Sequence, residues 1–331
     1  MPRLLLVHTG GTLMMRGGDP TPLEPDVYTQ DLLSELPVLK KIADIETRIF
    51  SNLDSSDMQP HHWVSLGALV HEALPRYDGV VIVHGTDTMA YTASALAFLL
   101  PGLDRPVVMT GAQKPLGDVR TDARTNLVDA CHLAVVGPPE VGIVFDSRLL
   151  RGCRATKMDA WGMSAFGSPA CPPLAELGLG VQFGPHVLAK RARRSFDARI
   201  EERVLAVRTF PGLDPRLLIG ALDAGVRGIV LEAFGAGNIP RIENSLVPVL
   251  DKARAMDVAV VIVSQCPRGS VDLARYQGGA AASGAGAISA GDMTTEAALT
   301  KLMLALGRAE SDGRVRTARE AFSSSWAGEV S

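Results

Sequence analysis

Two short segments of the chain each carry two threonines, residues 8–12 (HTGGT) and 84–88 (HGTDT). Each segment follows a short apolar run, and together they supply the hydroxyls of Thr9, Thr12, Thr86 and Thr88. A threonine hydroxyl can donate, accept or attack, but it is a weak nucleophile that needs a nearby base and donors for an oxyanion. The alternative is that both segments merely cap helices, a common use of threonine. The matched pair favours a site for nucleophilic chemistry.

The apolar runs before these segments, residues 4–7 (LLLV) and 80–83 (VVIV), predict buried strands of a parallel sheet. Continuous rather than alternating apolarity indicates that both faces of a strand are covered. Ligands of open α/β sheets bind at the carboxyl ends of the strands. Gly10, Gly11 and Gly85 would let the backbone approach a small substrate closely at those ends.

The bulk composition excludes several classes of partner. The 331 residues carry a formal charge of −3, with a pI near 6.2, so there is no electrostatic reason to expect nucleic acid or an anionic membrane as a partner.

The cysteines and the apolar runs bear on the cellular compartment. The four cysteines lie far apart without a Cys-x-x-Cys spacing, which predicts reduced thiols at Cys131, Cys153, Cys171 and Cys266. The apolar run at the amino terminus is too short for a secretory signal, and no run reaches the roughly 18 residues that span a bilayer. We therefore predict a soluble, cytoplasmic protein.

The length favours two domains. Alternating strand and helix patterns predict an α/β fold, with a larger N-terminal doubly wound, flavodoxin-like domain at residues 1–188 and a smaller C-terminal α/β Rossmann-like domain at residues 204–331. Between them, residues 189–203 contain the basic run KRARR without an apolar period. This segment predicts a solvated linker in preference to a nucleic-acid site.

Periodic apolar patterns predict the individual strands and helices. Strands are predicted at residues 45–50, 107–109, 141–145, 204–207, 228–231 and 258–263, and helices at residues 28–42, 58–74, 89–100 and 122–135. Further helices are predicted to begin at Pro215, Glu243 and Thr294. Residues 278–291 are rich in glycine, alanine and serine and predict a loop with close backbone packing. Residues 16–22 (RGGDPTP) predict a loop that could act as a lid over the first threonine segment.

Five segments together resemble the bacterial-type L-asparaginase family: residues 9–12 (TGGT), 54–58 (DSSDM), 84–92 (HGTDTMAYT), 111–113 (GAQ) and 154–157 (RATK). The resemblance continues through residues 235–238 (GAGN) and 291–296 (GDMTTE). The DSSDM segment and the lack of a secretory signal make the chain similar to the cytoplasmic type I branch. The resemblance implies hydrolysis of the side-chain amide of L-asparagine to L-aspartate and ammonia, weaker activity on L-glutamine, and no metal or organic cofactor.

The resemblance also implies catalytic roles. Thr12 corresponds to the attacking threonine, and Thr86, Asp87 and Lys157 to a second triad in which the lysine draws a proton from Thr86 or from a bound water. The family pattern places the oxyanion donors at the backbone amides of Thr86 and Ala112. Without the flanking pattern, Lys157 would be read as a surface lysine and Asp87 as a helix cap.

The substrate's charged ends need partners, because orientation makes a small amide reactive. By resemblance, Ser55, Ser56 and Asp87 hold those ends. Two roles stay open for Asp54: fixing its own loop, as Asx residues often do, or contacting the substrate. Asn238 is similar to an asparagine that a neighbouring subunit contributes, which implies a homo-oligomer, either a dimer or a tetramer.

One position departs from the family pattern. Members carry a lid tyrosine about ten residues after the nucleophile, where this chain has TPLEP at residues 21–25. The nearest tyrosine is Tyr28, so either Tyr28 substitutes for it or another group activates Thr12.

The histidines suggest no stronger rival. His8 and His84 lie at strand ends, where a structural histidine is favoured over a hydrolase triad. His61 and His62 are adjacent, so on a helix they point about 100° apart and do not form a zinc site.

Three other functions remain as alternatives. An archaeal tRNA-dependent amidotransferase subunit shares these motifs, but it carries an additional domain before the first threonine turn, which we do not expect here. A dinucleotide-binding dehydrogenase would need Gly-x-Gly-x-x-Gly after the first strand, a spacing that residues 9–13 (TGGTL) lack. A non-catalytic amino-acid sensor is disfavoured by the complete set of Thr12, Thr86, Asp87 and Lys157.

Overall fold

The computed structural model describes residues 1–14, 32, 34–190, 196–310 and 313–331. These residues form two compact units, Met1–Ala198 and Arg199–Ser331. The lid predicted at residues 16–22 and the basic residues 191–194 lie outside the described residues.

The first unit carries the longer series of strands. These are β1 (Arg3–Gly10), β2 (Asp44–Leu53), β3 (Gly79–Val83), β4 (Val107–Thr110), β5 (Val141–Phe145), β6 (Arg148–Arg151), β7 (Thr156–Lys157), β8 (Phe166–Gly167), β9 (Ala175–Leu177) and β10 (Val181–Phe183). Its described helices include α1 (Leu39–Ile42), α2 (Pro60–Ala73), α3 (Met89–Leu99) and α4 (Ala123–Val136). Short 3₁₀ turns occupy Thr12–Met14, Ser55–Asp57 and Gly152–Arg154.

The main sheet has eight strands in the order β10-β9-β6-β5-β4-β3-β1-β2. Strands β2, β1, β3, β4 and β5 pair in parallel, while β6, β9 and β10 extend the sheet antiparallel. The parallel order β2-β1-β3-β4-β5 is that of flavodoxin-like sheets, whose ligands bind where the strand order reverses, between β1 and β3. The predicted fold class of this unit is confirmed, and the two threonine segments follow the two strands that flank this reversal.

Both faces of the parallel strands are covered. All five residues of β3 are buried. Val81 and Val83 pack in a cluster with Leu4 and Leu6 that also contains apolar residues of α4. The intervening Val80 and Ile82 are equally buried, so the opposite face is covered as well. This is why β1 and β3 read as unbroken apolar runs.

The second unit is smaller and has an all-parallel sheet in the order β11-β12-β13-β14. Its strands are β11 (Val204–Arg208), β12 (Gly228–Ala233), β13 (Ala259–Ser264) and β14 (Ile288–Ser289). Its helices are α5 (Pro215–Asp223), α6 (Val247–Ala255), α7 (Gln277–Gly284), α8 (Thr295–Arg308) and α9 (Arg314–Phe322). The prediction of a smaller α/β domain in the second half is confirmed.

Two element predictions were wrong in this unit. The helix expected from Glu243 begins at Val247, because Pro248 is suited to its first turn, where the missing N–H has no partner to lose. The loop expected at residues 278–291 contains the helix α7. Gly278 is needed there for close packing, since a Cβ atom would lie 2.0 Å from Oδ1 of Asn238.

None of the four cysteines, which all lie in the described residues, forms a disulfide bond, and burial raises the pKa of Cys131 to about 12. No helix in the described parts of the chain is both long enough and apolar enough to span a membrane.

Candidate active site

The first threonine segment lies at the carboxyl end of β1. Its Thr9 hydroxyl donates to the carbonyl oxygen of Val83 at 3.1 Å and so joins β1 to the end of β3. Thr12 begins the short 3₁₀ turn that follows, and it is half-buried. The Thr9 hydroxyl therefore links the two strands, while Thr12 lies after the end of β1.

Two glycines bring three segments into contact. Gly11 has a φ of 90°, and a Cβ atom on it would lie 2.5 Å from the Cα of Gly85. A Cβ atom on Gly85 would in turn lie 2.6 Å from Oγ of Ser55. Because any side chain would prevent these approaches, both positions require glycine. The first threonine turn, the second threonine turn and the serine turn (residues 54–58) are thus packed closely together.

The second threonine segment is tied to the serine turn by a further bond. The Thr88 hydroxyl donates to the carbonyl oxygen of Ser55 at 2.6 Å. Thr88 also occupies the N-cap position of α3, yet its side chain makes no capping hydrogen bond. Helix capping therefore does not account for the threonine at this position.

Lys157 reaches the second threonine segment from β7. Its Nζ lies 2.8 Å from Oγ1 of Thr86 and 2.7 Å from Oδ1 of Asp87. The Lys157 side chain is 21% exposed, whereas that of Asp87 is 65% exposed. Thr86 is 8% exposed. The structure thus joins a hydroxyl, an amine and a carboxylate that the sequence separates by 70 and 71 residues.

The serine turn is stabilised by Asp54. Oδ1 of Asp54 accepts from the backbone N–H of Ser56 at 2.8 Å and from the Ser56 hydroxyl at 2.7 Å. The backbone bond, followed by the hydroxyl bond, lowers the pKa of the Asp54 carboxyl. Ser55, the next residue in this turn, is buried against Gly85.

Gln113 is a neighbour of Thr86 that the predicted set of site residues omitted. Its Oε1 lies 3.4 Å from Oγ1 of Thr86, and its Nε2 donates to the carbonyl oxygen of Gly162 at 3.1 Å. The preceding Ala112 is buried. The GAQ motif contained Gln113, but only the fold shows that its side chain bridges Thr86 to the loop after Lys157.

His84 anchors the second threonine segment from within the core. Its Nδ1 lies 2.7 Å from the carbonyl oxygen of Gly85, so this nitrogen carries the proton. Nε2 lies 2.9 Å from the Thr92 hydroxyl, which also receives the indole N–H of Trp63 at 3.1 Å. When His84 is neutral, its Nε2 accepts the Thr92 hydroxyl, and all three donors of this series have acceptors. A proton on Nε2 would leave the Thr92 hydroxyl without that acceptor. Burial lowers the His84 pKa to about 4, although the bond to Gly85 opposes the shift.

The two remaining predicted site residues are Tyr28 and Asn238. Tyr28 is outside the described residues. Asn238 belongs to the second unit, in the turn after β12, where its backbone forms a bridge with Phe234.

No metal site is indicated among the described residues, since no three histidine, cysteine, aspartate or glutamate side chains there are grouped to hold an ion. His61 and His62 have ring centroids 3.9 Å apart, with the ring planes tilted by 46°. Nδ1 of His62 accepts the backbone N–H of Gln59 at the start of α2, which gives that histidine a capping role.

Comparison with known proteins identifies the family. Residues 3–187 match the family model described as Asparaginase, N-terminal, and residues 203–318 match the Glutaminase/Asparaginase C-terminal domain. The chain is 38% identical over 325 residues to an L-asparaginase of Thermococcus kodakarensis, covering 96% of this chain and 97% of that protein. It is 35% identical over 336 residues to L-asparaginase 1 of Escherichia coli, covering 99% and 97%.

The relatives also include a protein with a different name. One subunit of the glutamyl-tRNA(Gln) amidotransferase of Pyrococcus abyssi is 34% identical over 343 residues, covering all of this chain and 77% of that protein. Among solved structures, the thermostable L-asparaginase from Thermococcus kodakarensis superposes with a TM-score of 0.91 at 38% identity, covering 99% of each chain. Both halves of the chain match, and the fold matches throughout, so this protein belongs to the asparaginase family of amidohydrolases.

Proposed function

We propose that this protein hydrolyses the side-chain amide of L-asparagine to L-aspartate and ammonia. The observation that carries the proposal is the position of the Lys157 amine, 2.8 Å from the Thr86 hydroxyl and 2.7 Å from the Asp87 carboxylate. Such a contact between a hydroxyl and a potential base is what amide hydrolysis through water or threonine requires. The names of the relatives support L-asparagine as the substrate.

The proposed reaction begins at Thr12, which follows Gly11, the residue that packs against Gly85 of the second threonine turn. Its hydroxyl attacks the amide carbon, and the resulting oxyanion is stabilised by the backbone N–H groups of Thr86 and Ala112. Ammonia leaves with the proton that the attack released, and an ester with Thr12 remains. A water that gives its proton to the Thr86–Lys157 pair attacks the ester carbon, and that proton passes to the leaving Thr12 oxygen, which frees L-aspartate and restores the Thr12 hydroxyl. General-base assistance contributes about 10²- to 10⁴-fold to such rates, and each oxyanion donor about 10²- to 10³-fold.

The substrate's charged ends have candidate partners around this centre. Asp87 is largely exposed and has a second oxygen to receive an α-ammonium group. Ser55 offers a hydroxyl donor for an α-carboxylate, and Ser56 does so when its hydroxyl turns from Asp54 to the substrate. We assign Asp54 to holding the serine turn rather than to the substrate, because both bonds at its Oδ1 come from Ser56.

We propose that Tyr28 assists Thr12 and that Tyr28→Phe lowers turnover. Unchanged turnover would show that the Tyr28 hydroxyl takes no part.

We also propose that Asn238 serves the site of a neighbouring subunit in a cytoplasmic dimer or tetramer. In each subunit, residues 1–188 form the catalytic domain, residues 189–203 the linker and residues 204–331 the second domain. A fully active monomer in sedimentation would contradict the intersubunit role.

The first experiment is ammonia release by the purified protein with L-asparagine and L-glutamine measured side by side. We expect release from L-asparagine that disappears in Thr12→Ala. Because the two substrates differ by one methylene, we expect a preference of about 10- to 200-fold at most from pocket packing. No release from either substrate by a well-folded protein would refute the proposal.

The amidotransferase among the relatives suggests the second candidate, a subunit that passes ammonia to a partner. The two functions separate in one assay, since an asparaginase releases ammonia without tRNA or any partner protein. Activity that appears only on addition of both would favour the second candidate.

A further inference from the structure

The turn after β4, residues 111–114, brings two groups to the candidate active site. It carries the backbone N–H of Ala112, the proposed oxyanion donor, and the side chain of Gln113 beside Thr86. It also lies directly against the second threonine segment, since a Cβ atom on Gly111 would lie 2.3 Å from the carbonyl oxygen of His84. A shift of this turn would therefore move both groups relative to Thr86.

The carboxylate of Asp122 binds this turn through its backbone. The N–H of Gln113 donates to both of its oxygens, at 3.1 and 3.0 Å, and the N–H of Lys114 donates to Oδ1 at 3.0 Å. Hydrogen bonds to an ionised acceptor are about twice as strong as neutral ones. One side chain thus fixes two successive peptide groups of the turn.

The Asp122 side chain does not cap a helix. Asp122 is the N-cap residue of α4, but its carboxylate makes no capping hydrogen bond. The hydroxyl of Thr121 instead accepts the N–H of Ala123 at 3.0 Å and donates to the carbonyl oxygen of Lys114 at 3.0 Å. Because Thr121 satisfies the start of the helix, the Asp122 carboxylate is left to bind the turn.

Asn126 completes the arrangement one helical turn later. It is buried, and its Nδ2 donates to the carbonyl oxygen of Gly111 at 3.1 Å and to Oδ2 of Asp122 at 3.1 Å. Its Oδ1 accepts the N–H of Asp146, in the hairpin after β5, at 3.2 Å. Both ends of the turn are therefore bound to the same face of α4.

We infer that Asp122 and Asn126 are positioning residues for amide hydrolysis: through Gly111, Gln113 and Lys114 they hold the Ala112 N–H where the oxyanion forms. The inference rests on the proposed function. An oxyanion exists only during the reaction, so loosening its donor lowers kcat and leaves substrate affinity nearly unchanged. A general loss of folded protein would instead lower the fraction of binding-competent molecules.

The test compares Asp122→Ala with Asp129→Ala. Asp129 lies on the same helix and accepts a hydrogen bond from the Ser147 hydroxyl at 3.0 Å, so its removal also costs α4 a carboxylate contact, but away from the turn. We expect kcat with L-asparagine to fall on the order of 10²-fold in Asp122→Ala, with little change in KM, and to stay near normal in Asp129→Ala. Asp122→Asn keeps one acceptor oxygen and should recover part of the loss.

Two further readouts use the same proteins. Calorimetric titration with L-aspartate should show an unchanged number of binding sites in Asp122→Ala. Amide hydrogen exchange of a peptide covering residues 111–114 should accelerate in Asp122→Ala and not in Asp129→Ala. A wild-type kcat in Asp122→Ala, or a kcat loss matched by an equal loss of binding sites, would overturn the inference.

The outcome separates the two proposals. Wild-type protein that releases no ammonia refutes the proposed function, while the exchange measurement still decides whether Asp122 holds the turn. Wild-type activity with an unaffected Asp122→Ala variant refutes only the positioning role.

Discussion

Acidification should destabilise the first unit through two buried histidines. Burial lowers the pKa of His84 to about 4 and that of His8 to about 3, from ordinary values of 6.5. Above pH 6.5 both histidines are neutral in the folded and unfolded chain, and they contribute no pH dependence. As the pH falls below 6.5, only the unfolded chain takes up these protons, so the folded state loses stability until the pH reaches the folded-state pKa values.

The size of the effect follows from the two shifts. One pKa unit corresponds to about 1.4 kcal/mol, so between pH 7 and pH 5 each histidine should remove about 2 kcal/mol from the free energy of unfolding, or about 4 kcal/mol together. Carboxylates add little over this range, because they stay mostly ionised in the unfolded chain above pH 5.

The assay is guanidinium denaturation at pH 7, 6 and 5 at one protein concentration, followed by Trp63 fluorescence in a background where Trp161 and Trp326 are replaced by phenylalanine. His84→Gln should roughly halve the loss of stability between pH 7 and pH 5, whatever its own effect at pH 7. An unfolding free energy that is the same at both pH values would refute the reasoning, as would a full pH dependence that persists when His8→Asn and His84→Gln are combined.

Three further variants test other parts of the structure. Lys157→Met should leave a folded protein that binds L-aspartate but turns over about 10²- to 10⁴-fold more slowly, measured by ammonia release; near-normal turnover would remove the amine from the reaction. Glu329→Gln should destabilise the second unit by about 3–5 kcal/mol in thermal denaturation, because it leaves the fully buried Lys301 charge without its carboxylate partner, and an unchanged midpoint would show that the pair is dispensable. Gly11→Ala should lower both the melting temperature and kcat, since the added methyl group collides with Gly85 at a φ of 90°; wild-type values of both would mean that the two turns can separate freely.

The sequence predicted the frame of this site because its signals are local. The runs before residues 8–12 and 84–88 are apolar at every position, which follows directly from the burial of β1 and β3 on both faces. For Asp54 the sequence left two roles open, and the local one could be named because its partner Ser56 is only two residues away.

Local sequence patterns did not predict the contacts between residues that are far apart in the chain. Nothing in composition or spacing distinguishes Lys157 from the other lysines; only the family resemblance selected it. Asp122 was read as the start of a helix, because its bonds to Gln113 and Lys114 depend on how the turn lies against α4. The α7 segment was read as a loop because glycine is unfavourable in helices, although the close backbone packing expected there is present at Gly278.

The separation of 70 residues between Asp87 and Lys157 has a consequence for how the protein acquires its activity. Contacts between distant parts of a chain form slowly, because the entropy of closing a long loop is lost before the contact stabilises anything. Strands β4, β5 and β6 lie between the two residues in the chain, so we expect the amine to reach the threonine turn after these strands have joined the sheet. During refolding, ammonia release is therefore expected to return later than the far-ultraviolet circular dichroism of the sheet, so that turnover reports steps that follow formation of the strands.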